Sequence, residues 1–99
     1  MTVKLINRNE TGEFMIEGKL DANTSPELEK LILGQADRFE KIVLNFEELS
    51  YISSAGLRTV KILHMAMKKK GGELVMTKVN RTVMEVFEMT GFSQLLNFE

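Results

Sequence analysis

The chain contains no cysteine, no tryptophan, one histidine and one proline among its 99 residues. The missing thiols exclude disulfides, thiolate catalysis and most structural zinc sites, and one histidine is too few for a histidine-rich metal centre. The apolar runs are short, as in Ile42-Val43-Leu44, so no segment is expected to span a membrane. The segment Met1-Thr2-Val3-Lys4 lacks the features of a signal peptide, and together these absences predict a cytoplasmic chain.

The chain also lacks an excess of charge of either sign. The net charge is −1 and the pI is about 5.9, so the long-range field is weak and does not favour direct binding to nucleic acid or to an anionic membrane. Lys68-Lys69-Lys70 is interpreted as a group of cations at the end of a helix. With 43% apolar and 27% charged residues, the composition is that of a globular domain, and the length predicts one domain over residues 1–99.

Short apolar segments alternate with amphipathic stretches, which predicts strands that alternate with helices. The predicted order is β-β-α-β-α-β-α-β, with strands near residues 3–7, 14–18, 41–46 and 73–77, and a final short strand or packed tail at 95–98. The three intervening helices are expected from about residue 25 to 37, 55 to 70 and 81 to 89. This order predicts an α/β fold with a mixed, mainly parallel sheet, an antiparallel N-terminal hairpin and helices packed against the sheet.

The first and third helices both begin with capping signals. Thr24 followed by Glu27 has the spacing of a capping box, and Ser25 before Pro26 is an equally good alternative cap. Leu28, Leu31 and Ile32 are expected on the buried face of that first helix. Asn80 is predicted to cap the third helix.

Ser54 lies where the second helix is expected to begin, near Ala55, and a serine in this position is a preferred N-cap. The same position offers unpaired N–H groups and a partial positive charge, which tolerate a phosphoryl group. Gly56 is expected to keep the surroundings open to a partner or a phosphate.

The second helix is predicted to have a buried and an exposed face. Leu57, Val60, Leu63 and Met67 recur at helical spacing and are expected to be buried. Ser54, Arg58, Lys61 and Met65 then form an exposed stripe, which is interpreted either as a docking surface or as an ordinary solvated helix face. His64 follows Ser54 by ten residues, about 15 Å of helical rise, so the two cannot form a nucleophile–base pair in this helix; it is interpreted as a surface or boundary residue. No catalytic residue, metal site or cofactor is predicted.

Several blocks of the sequence resemble the STAS family, the bacterial anti-sigma factor antagonists and their relatives. The residues from Leu44 to Arg58, LNFEELSYISSAGLR, look like the family signature, and Gly18-Lys19-Leu20-Asp21-Ala22-Asn23-Thr24 is similar to the family's entry to its first helix. Gly71-Gly72-Glu73-Leu74 and the segment from Phe87 to Phe92 agree as well. The matches cover nearly the whole chain in the family's order.

The resemblance implies a non-catalytic partner switch. In the family, the unmodified protein binds an anti-sigma factor that is also a GHKL-type serine kinase, phosphorylation releases the complex, and a PP2C-type phosphatase restores binding. Ser54 matches the modified serine, Asp21 matches an acidic residue close to it, and Thr24 matches the cap of the first helix. Ser53, Ser54, Arg58, Lys61 and Met65 are the expected partner-binding residues.

Two departures from the family pattern leave alternatives open. Ser53 stands where the family often has Asp, and Ala55 stands where it often has Ser or Thr, so Ser53 is the fallback for the modified residue. STAS-like domains also serve as accessory subunits of lipid transporters or as scaffolds in stress-sensing complexes. The serine at position 54 favours the phosphorylation switch over these roles.

Overall fold

The computed structural model describes all 99 residues as one six-stranded sheet with four α-helices. The strands are β1 (Thr2–Arg8), β2 (Thr11–Leu20), β3 (Lys41–Asn45), β4 (Leu49–Ile52), β5 (Glu73–Thr77) and β6 (Asn97–Phe98). The helices are α1 (Ser25–Leu33), α2 (Ser54–Lys69), α3 (Arg81–Met89) and the short α4 (Phe92–Leu95), and one 3₁₀ turn covers Ala36–Arg38.

The sheet has the mixed, mainly parallel topology that the sequence predicts. Its strand order is β1-β2-β3-β5-β6. Only β1 and β2 are antiparallel, and they form an N-terminal hairpin in which Thr2 lies opposite Glu17 and Arg8 opposite Thr11. The pairs β2–β3, β3–β5 and β5–β6 are parallel. The expected fold class is therefore confirmed.

Strand β4 is an element that the sequence analysis did not predict. It pairs in parallel with the second half of β2, whereas β3 pairs with the first half. The pairing changes register between Gly18 and Lys19, and Gly18 has a φ of +108°, which a residue with a side chain rarely adopts. Strand β4 has only four residues, of which the two central ones are exposed, so it shows no alternating pattern in the sequence.

The core contains 21 buried apolar residues that join the sheet to the helices. Leu57, Val60, Leu63 and Met67 of α2 are all among them, as the helical spacing predicts. Helix α1 is shorter than expected: it ends at Leu33, and the chain continues into the 3₁₀ turn. Leu31, which was expected on its buried face, is 40% exposed, and only Leu28 and Ile32 supply the apolar contacts.

The C-terminal part also differs from the prediction. A short helix, α4, precedes the last strand, which is limited to Asn97 and Phe98. Gly91 makes the connection with a φ of +80°. Phe87 of α3 packs between Phe46 and Phe98, with ring centroids 6.5 and 5.2 Å away, so the last strand is held by the core as well as by its pairing with β5.

No helix of this fold has both the length and the apolar composition needed to cross a bilayer.

Asn80 has two structural roles that a substitution series should separate. Its Oδ1 accepts a hydrogen bond from the N–H of Val83, which confirms the predicted cap, and its Nδ2 donates to the carbonyl oxygen of Leu49 at 2.8 Å. We expect Asn80→Ala to lower the free energy of unfolding by about 1–3 kcal/mol, because both bonds are lost. Asn80→Asp keeps the cap and loses only the bond to β4, so it should cost less. Urea unfolding monitored by circular dichroism measures both. Equal losses in the two variants would contradict the capping role, and an Asn80→Asp variant as stable as the wild type would contradict the bond to β4.

Candidate functional site

Part of the predicted site lies at one edge of the sheet, where β2 and β4 end side by side, namely Asp21, Thr24, Ser53, Ser54 and Gly56. Leu20 and Ile52 are paired in these two parallel strands, and helices α1 and α2 begin a few residues beyond them. Because parallel strands end at the same edge, the loop that contains Asp21 and the serine pair at 53 and 54 lie close together. The topology thus unites two sequence blocks that are about thirty residues apart.

The N-cap of α2 is Ser53, and the expectation that Ser54 occupies this position is wrong. The Oγ atom of Ser53 accepts a hydrogen bond from the N–H of Gly56 at 3.3 Å, and the backbone N–H of Ser53 donates to the carbonyl oxygen of Leu20 at 2.9 Å. Ser54 is the first helical residue and is exposed. The two adjacent serines therefore differ: Ser53 is half-buried and bound to the helix backbone, whereas Ser54 is presented to solvent.

Gly56 is buried, and the idea that it keeps an outer surface open is wrong. A Cβ atom at this position would lie 2.7 Å from the carbonyl oxygen of Leu20 and 2.7 Å from a side-chain carbon of Ile52. A side chain at this position would point towards the ends of β2 and β4. Glycine is needed here because the first turn of α2 packs directly on the backbone at the end of β2.

Asp21 and Thr24 organise the loop that precedes α1. The Oδ1 atom of Asp21 accepts hydrogen bonds from the backbone N–H groups of Asn23 and Thr24, at 2.9 and 3.1 Å. The bond from Thr24 is the largest cause, and the bond from Asn23 the next, of a pKa of the Asp21 carboxyl that lies below its ordinary value. The carboxylate is therefore charged at neutral pH, and it is hydrogen-bonded within its own loop.

Thr24 occupies the N-cap position of α1, but the predicted capping box does not form. Its side chain makes no capping hydrogen bond. Instead the Thr24 hydroxyl donates to the carbonyl oxygen of Lys19 at 2.8 Å and accepts from the N–H of Asp21 at 2.9 Å. The threonine thereby ties the loop back to the end of β2.

The stripe formed by Ser54, Arg58, Lys61 and Met65 is exposed along its whole length, and Met65 is 49% exposed. Helix α2 contains no acidic residue, and neither Arg58 nor Lys61 takes part in any of the ion pairs of the structure. This face of α2 is therefore cationic, with one flexible apolar side chain.

A groove of about 410 Å³ lies between α1 and α2 and was not predicted from the sequence. Ala55, Arg58 and Thr59 line it on one side, and Ser25, Glu29 and Lys30 line it on the other. The Thr59 hydroxyl donates to the Glu29 carboxylate at 3.4 Å, while the Oγ atom of Ser25 is buried and has no hydrogen-bond partner. Two of its lining residues carry a signal in the sequence: Arg58 belongs to the predicted exposed stripe, and Ser25 before Pro26 is an alternative cap.

His64 is only 7% exposed, so its interpretation as a surface or boundary residue is wrong. Its Nδ1 atom is buried without a partner, and the ring lines a separate cleft beside Lys68 and Glu73. Burial lowers the pKa of His64, and the positive charge of Lys68 acts in the same direction. His64 is ten residues from Ser54 along α2 and lies outside the serine site.

The STAS domain model matches residues 3–99, so the chain belongs to the STAS domain family. Among curated proteins, the chain is 37% identical over 78 residues to BtrV of Bordetella bronchiseptica, which carries the name of an anti-sigma factor antagonist. That match covers 78% of this chain and 67% of the relative. The chain is also 28% identical over 98 residues to the anti-sigma-B factor antagonist of Staphylococcus aureus, with 98% of this chain and 91% of the relative covered.

The fold is similar to that of the anti-sigma factor antagonist SpoIIAA, which has been solved in two forms. The unphosphorylated form superposes with a TM-score of 0.78 at 20% identity and covers 99% of this chain and 87% of that one. The phosphorylated form, described as a Bacillus cell fate determinant, gives a TM-score of 0.77 at 21% identity, with coverages of 99% and 91%. These matches confirm the STAS fold.

The position of Gly56 makes a prediction with a definite sign. In an unhindered helix, Gly→Ala is stabilising by about 1 kcal/mol. Here we expect Gly56→Ala to lower the free energy of unfolding by about 1–3 kcal/mol, because the new methyl group overlaps a backbone oxygen that cannot rotate away. Thermal and urea unfolding measure the change. Gly71→Ala is the matched control: no atom lies within 4 Å of the added Cβ, so its cost comes from its φ of +84° alone. A stabilised Gly56→Ala variant would contradict the packing.

The hydrogen bonds to Asp21 predict a pH dependence. Because the pKa of the folded-state carboxyl lies below the ordinary value of 3.8, the wild type should be more stable than Asp21→Asn above about pH 4. This advantage should disappear as the pH falls through the folded-state pKa. Urea unfolding at several pH values tests the prediction. Asp37→Asn is the control, because it removes an exposed carboxylate that makes no hydrogen bond. A stability difference between the wild type and Asp21→Asn that does not change with pH would contradict the prediction.

Proposed function

We propose that this chain is an anti-sigma factor antagonist that acts by partner switching. The unmodified protein binds an anti-sigma factor serine kinase of the GHKL type through the exposed stripe of α2. Phosphorylation of Ser54 releases the kinase, and a PP2C-type phosphatase restores binding. The role is regulatory, and the proposed location is the cytoplasm, where transcription takes place.

The observation that carries the proposal is the position of Ser54. Its side chain is exposed in the first turn of α2, just beyond the paired ends of β2 and β4. A kinase can reach this hydroxyl without unfolding the helix. The anti-sigma factor antagonists among the relatives and the phosphorylated form of SpoIIAA support the same role.

The charge of the stripe supports a protein partner with an acidic contact surface. Arg58 and Lys61 follow Ser54 on α2, and no carboxylate of this chain neutralises either of them. Met65 adds a flexible apolar contact at the far end. A partner that presents carboxylates around a small apolar pocket would match this face.

The covalent chemistry requires only a hydroxyl from this chain. The Oγ atom of Ser54 forms a bond to the γ-phosphorus of the kinase's ATP, the bond from that phosphorus to the β–γ bridging oxygen breaks, and ADP leaves. The hydroxyl proton passes to a base of the kinase. In the reverse direction, the phosphatase hydrolyses the Oγ–P bond with water and releases inorganic phosphate.

Electrostatics are sufficient for the release step. A phosphoryl group adds about −1.5 to −2 charges at neutral pH. In an interface built around a neutral hydroxyl, the carboxylates of an acidic partner repel this added charge at a cost of about 2–5 kcal/mol, which weakens binding by roughly 30-fold to several thousand-fold. No rearrangement of the fold is needed.

The environment of the two serines supports Ser54 over Ser53 as the modified residue. The Oγ atom of Ser53 already accepts the N–H of Gly56, and transfer to it would disturb the cap of α2. We expect Ser53→Ala to be labelled at residue 54, with a loss of about 1 kcal/mol in stability from the lost cap. Mass mapping after incubation with ATP and a GHKL-type kinase from the same genome identifies the labelled residue. A phosphate on residue 53 of the wild type would contradict the assignment.

Substitutions at Ser54 test the switch itself. In the presence of ATP, Ser54→Ala should remain bound to the kinase, because it accepts no phosphate. Ser54→Asp should bind at least about 30-fold more weakly than the unmodified wild type, since it carries a charge at the contact. Isothermal titration calorimetry measures both affinities.

Thr82→Asp is the matched control for Ser54→Asp. It places the same carboxylate in the first turn of another helix, α3, at an exposed position away from the stripe, so it should bind like the wild type. If Ser54→Asp also binds like the wild type, the switch is excluded at this residue. That result would favour the transporter-accessory or scaffold roles.

A further inference from the structure

Arg58 is an unpaired guanidinium one helical turn beyond Ser54. It is exposed, takes part in no ion pair, and makes no side-chain hydrogen bond in the structure. Helix α2 has no carboxylate that could compete for it. Arginine is the side chain best suited to bind a phosphate, because its planar fork donates two parallel hydrogen bonds.

The spacing places Arg58 within reach of a phosphoryl group on Ser54. Residues four apart in a helix are separated by about 6 Å along the axis and lie on the same side of it. Helical side chains also point towards the N-terminus, so the Arg58 side chain extends back over the turn that begins with Ser54. Lys61 lies seven residues from Ser54, about 10 Å along the axis, and is too distant for the same contact.

The charged groups around Arg58 leave it available. On the other side of the groove, the Glu29 carboxylate receives the Thr59 hydroxyl, and Lys30 adds a second positive charge. Asp21, which follows the end of β2 at the same sheet edge, is engaged by the N–H groups of Asn23 and Thr24. Neither carboxylate lies within ion-pair distance of Arg58.

We propose that Arg58 binds the phosphoryl group of phosphorylated Ser54 within the same chain. This inference rests on the proposed modification of Ser54 and adds a second component to release. The modification then introduces negative charge into the contact face and also withdraws the cation nearest to it, which in the unmodified protein is free for an acidic partner. The pair forms on an existing helix and leaves the fold unchanged.

The second pKa of the phosphoserine reports the contact directly, without any partner. The probe is the full chain with phosphoserine installed at position 54 by genetic code expansion, titrated by ³¹P NMR at about 0.15 M salt, where the Debye length is about 8 Å. The Arg58 guanidinium favours the dianion, so we expect Arg58→Gln to raise this pKa by about 0.5. Lys61→Gln removes one charge from the same stripe and should leave the pKa nearly unchanged. The helix N-terminus is present in all three proteins and does not contribute to the differences.

Thermal unfolding gives a second measurement. Phosphorylation of Ser54 should raise the melting temperature more in the wild type than in Arg58→Gln, because only the wild type gains the new pair. Equal pKa values in the wild type and Arg58→Gln, or equal shifts for Arg58→Gln and Lys61→Gln, would overturn the proposal. Its failure is distinguishable from failure of the switch: the first appears in the pKa of the isolated phosphoprotein, and the second appears as a phosphoprotein that still binds the kinase.

Discussion

The first turn of α2 packs directly on the backbone at the end of β2, and the presentation of Ser54 depends on this contact. Leu20 accepts the N–H of Ser53 with its carbonyl oxygen, and Gly56 lies so close to that oxygen that no side chain fits between them. These two contacts fix the height and rotation of α2 over the sheet edge. Because Leu57 and Val60 are held in the core, the side chain of Ser54 points towards solvent.

Adjacent residues at this junction have opposite roles because the helix begins between them. Ser53 is outside the helix, where its side chain can turn back to cap the N–H of Gly56. Ser54 is inside it, where the side chain projects outwards and the hydroxyl has no structural task. A charge added to Ser54 therefore changes the surface of the protein and not its packing. The proposed pairing with Arg58 uses the same exposed side of α2, so regulation and stability involve different faces of one helix.

The features that were predicted wrongly or missed share a cause, since each concerns residues whose environment is set by a distant part of the chain. Strand β4 is too short to show a period, and it exists because β2 bends at Gly18 and offers its second half as a partner. His64 is buried because its ring faces β5 and the C-terminal segment. Gly56 was interpreted through its sequence neighbours, whereas the atoms that require a glycine belong to Leu20 and Ile52.

The sequence by itself determined the α/β class, the mainly parallel sheet, the buried stripe of α2 and the family, because apolar periodicity and local motifs act over a few residues. The exposed stripe also followed, as the complement of the buried one. Only the tertiary structure decided which serine caps α2, that Asp21 is bound within its own loop, and that a groove opens between α1 and α2. These features depend on how two strand ends and two helix starts meet at one edge, and no local pattern encodes that meeting.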